Sequence, residues 1–295
     1  MITVMGATGR TGNAIAKLLL DDGVNVRAAA RSETKLAALA ALGAETVAGD
    51  AGDTEFLTRA FQGADAVYTL LPHDPAEPDY HGAQRRMGEA IAAAIRSAGV
   101  RRVVFLSSVG ADHPVGTGFV ASLYDQEERL RQLDGVNVLN LRPGSFFENF
   151  HEMLPLIRQE GIAGDVVTPD LRIPMVATRD IAGAAAAALK ARDWSGVVVR
   201  ELLGPRDLSY AEAVAILGAR IGKPDLAYVQ FREGEMIGAL THMGCSADFA
   251  RMYVELAQAI NHGAVKSQEV RSSASTTPTR FEDFADELAQ AYFAV

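Results

Sequence analysis

Seven residues near the start of the chain, Gly6-Ala7-Thr8-Gly9-Arg10-Thr11-Gly12, set three glycines at intervals of three. Each glycine has its own use in such a segment. Gly6 permits a tight exit from a strand, Gly9 lets backbone approach a bound group, and Gly12 lets a helix pack closely on a sheet. The group such a turn can hold is a phosphate, because the first N–H groups of a helix lack partners and carry its partial positive charge. Thr8 and Thr11 complete the expected phosphate-binding set. The motif gains weight from its setting, since Ile2–Met5 reads as a strand and residues 12–22 as a helix with Ile15, Leu18 and Leu19 on one face.

The next strand decides which phosphorylated ligand fits. Residues 24–30 read as a strand that ends Ala28-Ala29-Ala30-Arg31-Ser32. In a dinucleotide site this tip usually carries Asp or Glu, which accepts from the ribose 2′-hydroxyl of NAD. Here no carboxylate stands there, and Arg31 offers a planar fork matched to a 2′-phosphate. Ser32 and Lys35 lie within four residues of it and Arg10 sits in the glycine turn, so all three could join it and NADP(H) is expected in preference to NAD(H). Asp50 follows the third strand, Glu45–Ala48, where its carboxylate can accept from an adenine amino group while Ala51 leaves space; a solvated turn is the alternative reading. Leu70-Leu71-Pro72 and Ser107-Ser108 end the fourth and fifth strands and are expected to border the ribose and nicotinamide, since ligands bind outside the carboxyl ends of such strands.

Strands and helices alternate through the first half. Helices are predicted over 33–42, Thr54–Phe61, 79–98 and 121–133, and strands over 66–71, Arg102–Leu106 and 137–141. That alternation predicts right-handed crossovers and a doubly wound parallel sheet covered on both faces. After Pro143 the pattern loosens, with Pro155, Gly161, Gly164, Pro169 and Pro174 breaking up the chain as far as Val176. A helix over 179–190 follows, with the Thr178 hydroxyl as its expected cap. Strands at Val197–Leu202 and 227–231 and helices at 209–221, 233–240, 247–260 and Phe281–Phe293 complete the expectation. Residues 1–150 are expected to form the nucleotide-binding domain, with 172–203 returning to it, and 151–295 a smaller, mostly helical cap.

Composition narrows the function classes. In 295 residues, 28 Lys and Arg stand against 37 Asp and Glu, a formal charge of −9. That balance argues against direct nucleic-acid binding. A single cysteine, Cys245, allows neither an internal disulfide nor a cysteine metal site. No secretory leader or membrane-length apolar run is read, so a cytoplasmic protein is expected. Asp74, Glu77, Asp79 and His81 superficially suggest a metal cluster, but Pro75 and Pro78 interrupt them and a polar turn is the better reading; no metal is expected.

With these residues in view, the chain resembles the NmrA-like family, atypical members of the short-chain dehydrogenase/reductase superfamily. The matching segments are the glycine turn, Val26-Arg27-Ala28 with Arg31, Gly49-Asp50, Ala98-Gly99-Val100-Arg101-Arg102-Val103-Val104 with Ser107-Ser108, and Leu141-Arg142-Pro143-Gly144-Ser145-Phe146-Phe147-Glu148-Asn149. Arg179-Asp180-Ile181-Ala182 and Leu203-Gly204-Pro205 through Tyr210 continue the likeness. The resemblance implies a Rossmann domain with a small C-terminal substrate domain, and places Pro143, Gly144, Ser145 and Phe146 beside the nicotinamide. Phe147 and Asn149 become candidates for substrate contact, with a core position the alternative for the two phenylalanines.

One departure bears on mechanism. The superfamily's usual proton donor is a Tyr followed four residues later by Lys, and the cation assists the phenol. The nearest candidate here is Tyr124, with Glu128 where the cation belongs, and no lysine lies between Phe119 and Leu133. Two functions remain open. One is an NADPH-dependent reductase of a small flat carbonyl or quinone-like compound, for which a strong protein acid is less necessary. The other is a non-catalytic NADP(H) sensor acting through a protein partner. His73, His81 and His113 lie in or beside loops that follow the fourth and fifth strands and are the substitute acids to consider. A homo-oligomer stays open.

Overall fold

The computed structural model describes residues 1–294. Its first part is a run of strand–helix units: β1 (Ile2–Met5), α1 (Arg10–Asp21), β2 (Val26–Ala30), α2 (Glu33–Ala41), β3 (Glu45–Ala48), α3 (Thr54–Phe61), β4 (Ala66–Thr69), α4 (Tyr80–Ser97), β5 (Arg102–Leu106), α5 (Ala121–Arg131) and β6 (Asn137–Pro143). Then come β7 (Ser145–Phe146), a 3₁₀ stretch over Phe147–Met153, α6 (Leu154–Glu160), β8 (Ile162–Asp165), β9 (Ile173–Val176) and α7 (Thr178–Ala191). The chain closes with β10 (Val197–Leu202), β11 (Asp207–Leu208), α8 (Tyr210–Arg220), β12 (Ala227–Gln230), α9 (Glu233–His242), α10 (Ala247–Asn261) and α11 (Phe281–Phe293).

Among the described residues seven strands pair in parallel in the order β10-β6-β5-β4-β1-β2-β3. The order reverses between β1 and β4, which opens a crevice at their carboxyl ends. The two-residue period of the strands sorts their side chains. Val4, Tyr68, Val104 and Leu141 face a core shared with Ile15 and Leu19 of α1 and Ile181 and Leu189 of α7. Val67, Val103, Phe105 and Val138 face the opposite core, under Phe56 and Phe61 of α3 and Ile91 and Ile95 of α4. The sheet is therefore buried on both faces, as a parallel sheet requires.

The loosened segment after Pro143 is more regular than its prolines and glycines suggest. Pro155 sits in the first turn of α6, where a missing N–H costs nothing, and Gly161 ends that helix in the left-handed conformation at φ 72°. The helices of this region are accompanied by two small sheets, β11-β9-β7 and β12-β8. Their core gathers Phe147, Phe150, Leu217, Phe281 and Phe284.

The expected cap of α7 is corrected. Ala177 is the cap position and Thr178 the first helical residue. Glu148 supplies the capping oxygens instead, accepting from the Thr178 N–H at 3.0 and 3.1 Å and from its hydroxyl at 2.5 Å. A carboxylate can serve two donors at once and opposes the positive end of the helix, so it displaces the weaker local hydroxyl cap.

Candidate functional site

The glycine turn stands at the β1 side of the crevice. Gly6 has φ +66°, open to glycine at no steric cost, and a Cβ on Gly12 would lie 2.3 Å from the Gly6 carbonyl oxygen. The turn is closed by the Gly9 N–H donating to Gly6 O at 2.9 Å and by Asn13 Nδ2 donating to Ala7 O at 3.3 Å. Gly9, the N-cap of α1, offers no side-chain cap, and the first turn carries no acidic residue. The orphan N–H groups of that turn are therefore free to meet an anion, and the cradle fits a dinucleotide pyrophosphate. Thr8 is half-buried and Gly9 exposed beside it. Thr11 is buried, and its hydroxyl accepts from Tyr68 at 3.1 Å, so its own O–H and its backbone N–H both remain as donors.

Arg31 is exposed at the tip of β2 and has no ion-pair partner among the described residues. The Ser32 hydroxyl accepts from the Lys35 N–H at 3.3 Å and caps α2, so this pair shapes the turn behind Arg31. Arg10, within the glycine turn, is exposed as well. Its charge is felt at His151, whose pKa is lowered by burial first and then by Arg10, and at Glu152, whose pKa burial raises and Arg10 opposes. Arg10 thus lies within electrostatic reach of the 3₁₀ stretch. Asp50 Oδ1 accepts from the Gly52 N–H at 2.7 Å, and Ala51 is buried next to it.

Beyond the switch point the rim is built by β4, β5 and β6. Leu70 closes over Gly6, where an added Cβ would lie 2.9 Å from its Cδ2. Leu71 is buried, and the Pro72 carbonyl accepts from Gln84 Nε2 at 2.8 Å. The Ser107 hydroxyl is committed to Glu127 Oε1. Arg142 grips both oxygens of the same carboxylate, from Nε at 2.8 Å and Nη2 at 2.7 Å, and Nη2 also donates to Ala111 O at 3.2 Å. Burial opposes the charge of Arg142, and the hydrogen bond and charge of Glu127 overcome it and raise its pKa. Neither Glu127 nor Arg142 stands out in the sequence: one lies in an acidic helical stretch and the other within a quoted motif without a role.

Pro143 and Gly144 are buried at the end of β6, and the Gly144 N–H donates to Leu202 O at 2.9 Å. Ser145 and Phe146 are half-buried in β7, paired with Met175 and Val176. Phe147 is a correction. It is wholly inaccessible, with ring centroids 5.1 Å from Phe281 and 5.5 Å from Phe284, so it has no face left for a substrate. At the start of the 3₁₀ stretch the side chain after Phe146 turns inward, and the rings of Phe281 and Phe284 hold it there. Asn149 is exposed.

The β4–α4 loop brings together residues far apart in sequence. His73 Nδ1 lies 2.8 Å from the Tyr80 hydroxyl, and the His73 ring is edge-on to Phe249 at 4.9 Å and tilted to Phe119 at 5.9 Å. The loop is tied to α10 by the Ser246 N–H donating to Pro75 O at 2.8 Å and the Tyr80 N–H donating to Asp248 at 3.2 Å. Further along α10, the Tyr253 hydroxyl donates to Asp165 Oδ2 at 2.6 Å. His81 pairs with the Ser122 hydroxyl at 2.6 Å, and His113 Nε2 faces Ala264 O at 3.1 Å. Tyr124 is half-buried on α5, and its hydroxyl has no protein partner among the described residues. The carboxylates of Asp74, Glu77 and Asp79 each accept from a backbone N–H of their own turn. Tyr80, Phe249, Asp165 and Tyr253 escaped sequence reasoning because their proximity depends on α10 folding back over the loop.

A family model described as the NmrA-like family matches residues 1–285. The chain belongs to the NmrA-like family. This NmrA-like chain is 32% identical to the (4-alkanoyl-5-oxo-2,5-dihydrofuran-3-yl)methyl phosphate reductase of Streptomyces griseus, with 99% of each covered. It is 30% identical to the NAD(P)H azoreductase of Xenophilus azovorans, over 87% of this chain and 86% of that protein. Its fold is that of the NADPH-dependent quinone oxidoreductase of Escherichia coli solved with NADPH, at a TM-score of 0.83, 24% identity and coverage of 98% and 99%. No helix among the described residues of this NmrA-like chain is long and apolar enough to cross a membrane.

Proposed function

We propose that the chain is an NADPH-dependent reductase of a small, flat carbonyl or quinone-like compound. The observation that carries this reading is the bare start of α1 at the β1/β4 switch point, with Arg31 free at the neighbouring strand tip. The N–H groups of the first turn of α1 would hold the pyrophosphate, Arg31 with Lys35 the 2′-phosphate, and Asp50 the adenine edge. Leu70, Leu71, Pro72, Pro143, Gly144, Ser145 and Phe146 would form the walls on the nicotinamide side. The bound dinucleotide supplies a hydride at nicotinamide C4. The protein's part is to hold the acceptor in a dry, partly aromatic cleft and to stabilise the charge that hydride uptake leaves on it.

Reductases of an oxo-dihydrofuran phosphate and of azo compounds among its relatives support the class of acceptor. A non-catalytic sensor of NADP(H) is the competing reading, favoured by the absence of lysine from residues 119–133. NADPH oxidation, followed by absorbance over a panel of quinones, aldehydes and azo dyes, separates the two. Turnover of one acceptor class supports the reductase; dinucleotide binding with no turnover of any acceptor overturns it.

A further inference from the structure

The loop leaving β4 carries an imidazole whose two edges have different fates. Nδ1 of His73 is 2.8 Å from the Tyr80 hydroxyl, while Nε2 has no protein partner among the described residues. Tyr80 is only 4% exposed, and its hydroxyl has no other partner. If Nδ1 carried the proton, the Tyr80 O–H would be left buried with no acceptor, so the phenol must donate to Nδ1. The proton of the neutral ring then sits on Nε2. Burial pushes the His73 pKa below the ordinary histidine value, with Asp74 opposing, so the ring is neutral at physiological pH. Burial also holds the Tyr80 pKa well above that of a free phenol, which keeps it a donor.

The position of this ring is fixed from several sides. Phe249 and Phe119 crowd it, and their own rings stack at 5.5 Å with an angle of 26°. Gln84 and Ser246 hold the loop carbonyls on either side of it, at Pro72 and Pro75. Although aromatic rings crowd it, His73 is exposed, its Nε2 has no protein partner among the described residues, and it follows directly on Leu70-Leu71-Pro72 at the switch point.

We propose that the Nε2–H of His73, oriented by Tyr80, is the hydrogen-bond donor that receives the acceptor's carbonyl or quinone oxygen in place of the absent Tyr–Lys pair. This rests on the reductase reading above. As the acceptor takes a hydride from the reduced dinucleotide, the hydride's electron pair forms the new bond and the carbonyl π pair moves onto oxygen. His73 stabilises that oxygen anion through Nε2–H and keeps its proton; water protonates the oxygen afterwards. A neutral imidazole suits this task because it donates without needing to be charged. His73 is then a catalytic residue and Tyr80 a positioning residue.

The first test needs no turnover. Long-range ¹H–¹⁵N correlation on protein labelled in histidine is expected to show His73 protonated at Nε2 only, and Tyr80→Phe is expected to mix the two tautomers. A wild-type ring protonated at Nδ1, or a pattern unmoved by Tyr80→Phe, overturns the proposal whatever the activity. In turnover of the best quinone, His73→Ala is expected to lower kcat about a hundredfold, with dinucleotide Kd unchanged. His73→Gln, which keeps an N–H donor, is expected to recover most of the loss, and Tyr80→Phe to lower kcat with little change in KM. Wild-type turnover that His73→Ala leaves intact defeats the His73 role alone. A wild-type protein that reduces no acceptor defeats the reductase reading and the His73 role together.

Discussion

The carboxylate of Glu148 closes the start of α7 by holding the N–H and hydroxyl of Thr178, 30 residues further along the chain. Glu148 lies two residues beyond the end of β7, so the bond ties the rim at Ser145–Phe146 to the helix that packs on α1. Glu148→Ala is expected to cost about 1–3 kcal/mol, the range for a lost cap that leaves a buried donor unpaired. Glu148→Gln should cost less, because one amide oxygen still accepts. Urea denaturation of the two variants checks the order, and equal stability of Glu148→Ala and wild type would remove the cap from the account.

Glu127 and Arg142 form a buried, bidentate pair with Ser107 as the third member. Removing one charge strands the other in a low-dielectric setting. Glu127→Ala is expected to destabilise the protein by about 3–5 kcal/mol, whereas Glu127→Leu with Arg142→Met should recover part of that loss. The coupling between the two positions in a double-mutant cycle is the measurement. Additive losses would mean that the pair contributes nothing beyond its packing.

Periodicity and glycine chemistry made the sheet, its helices and the shape of the glycine turn legible, because each depends on neighbours within a few residues. β3, β5, β10, α3 and α11 carry the same bounds in the structure as in the expectation. Thr178 misled because hydroxyl capping is a local rule, and the better acceptor, Glu148, comes from a distant segment. Phe147 misled for a related reason. Nothing in Phe146-Phe147 tells which ring turns inward until Phe281 and Phe284 of the last helix arrive to enclose it. The Asp165–Tyr253 and His73–Tyr80–Phe249 groupings are likewise products of tertiary contact between α10 and the rest of the chain.

Asp165 gives a pH dependence with a definite sign. Burial raises its pKa above the ordinary 3.8, and the bonds from Tyr253 and the Val166 N–H only partly offset this. Between 3.8 and its own higher value the folded protein binds a proton that the unfolded chain does not. Stability contributed by this site therefore falls as pH rises through that window. Asp165→Asn cannot ionise and should gain on wild type as pH increases. Unfolding free energies of both proteins from about pH 4 to pH 8 read the effect, and parallel pH curves would contradict it.

Tyr124→Phe bears on the proton donor. The Tyr124 hydroxyl has no protein partner among the described residues, and Glu128 occupies the helical position where the superfamily's lysine would assist it. Turnover of the variant is expected to match wild type. A loss of kcat of a hundredfold or more would restore the phenol as the acid.

Under the proposed function, Arg31 would carry the choice between the two pyridine nucleotides. It is exposed at the tip of β2 with its fork unpaired, while the Ser32–Lys35 cap holds the turn behind it in place. A 2′-phosphate would take a charge-assisted, bidentate bond from that fork, and the 2′-hydroxyl of NADH would not. Arg31→Asp inverts the charge and presents a carboxylate suited to the hydroxyl. NADPH affinity is expected to fall by about 1–3 kcal/mol, while NADH affinity stays level or improves. Calorimetric titration of both nucleotides into wild type and variant gives the comparison directly. Equal losses for the two would place the effect in the turn's shape and leave the 2′-phosphate to Lys35 or Arg10.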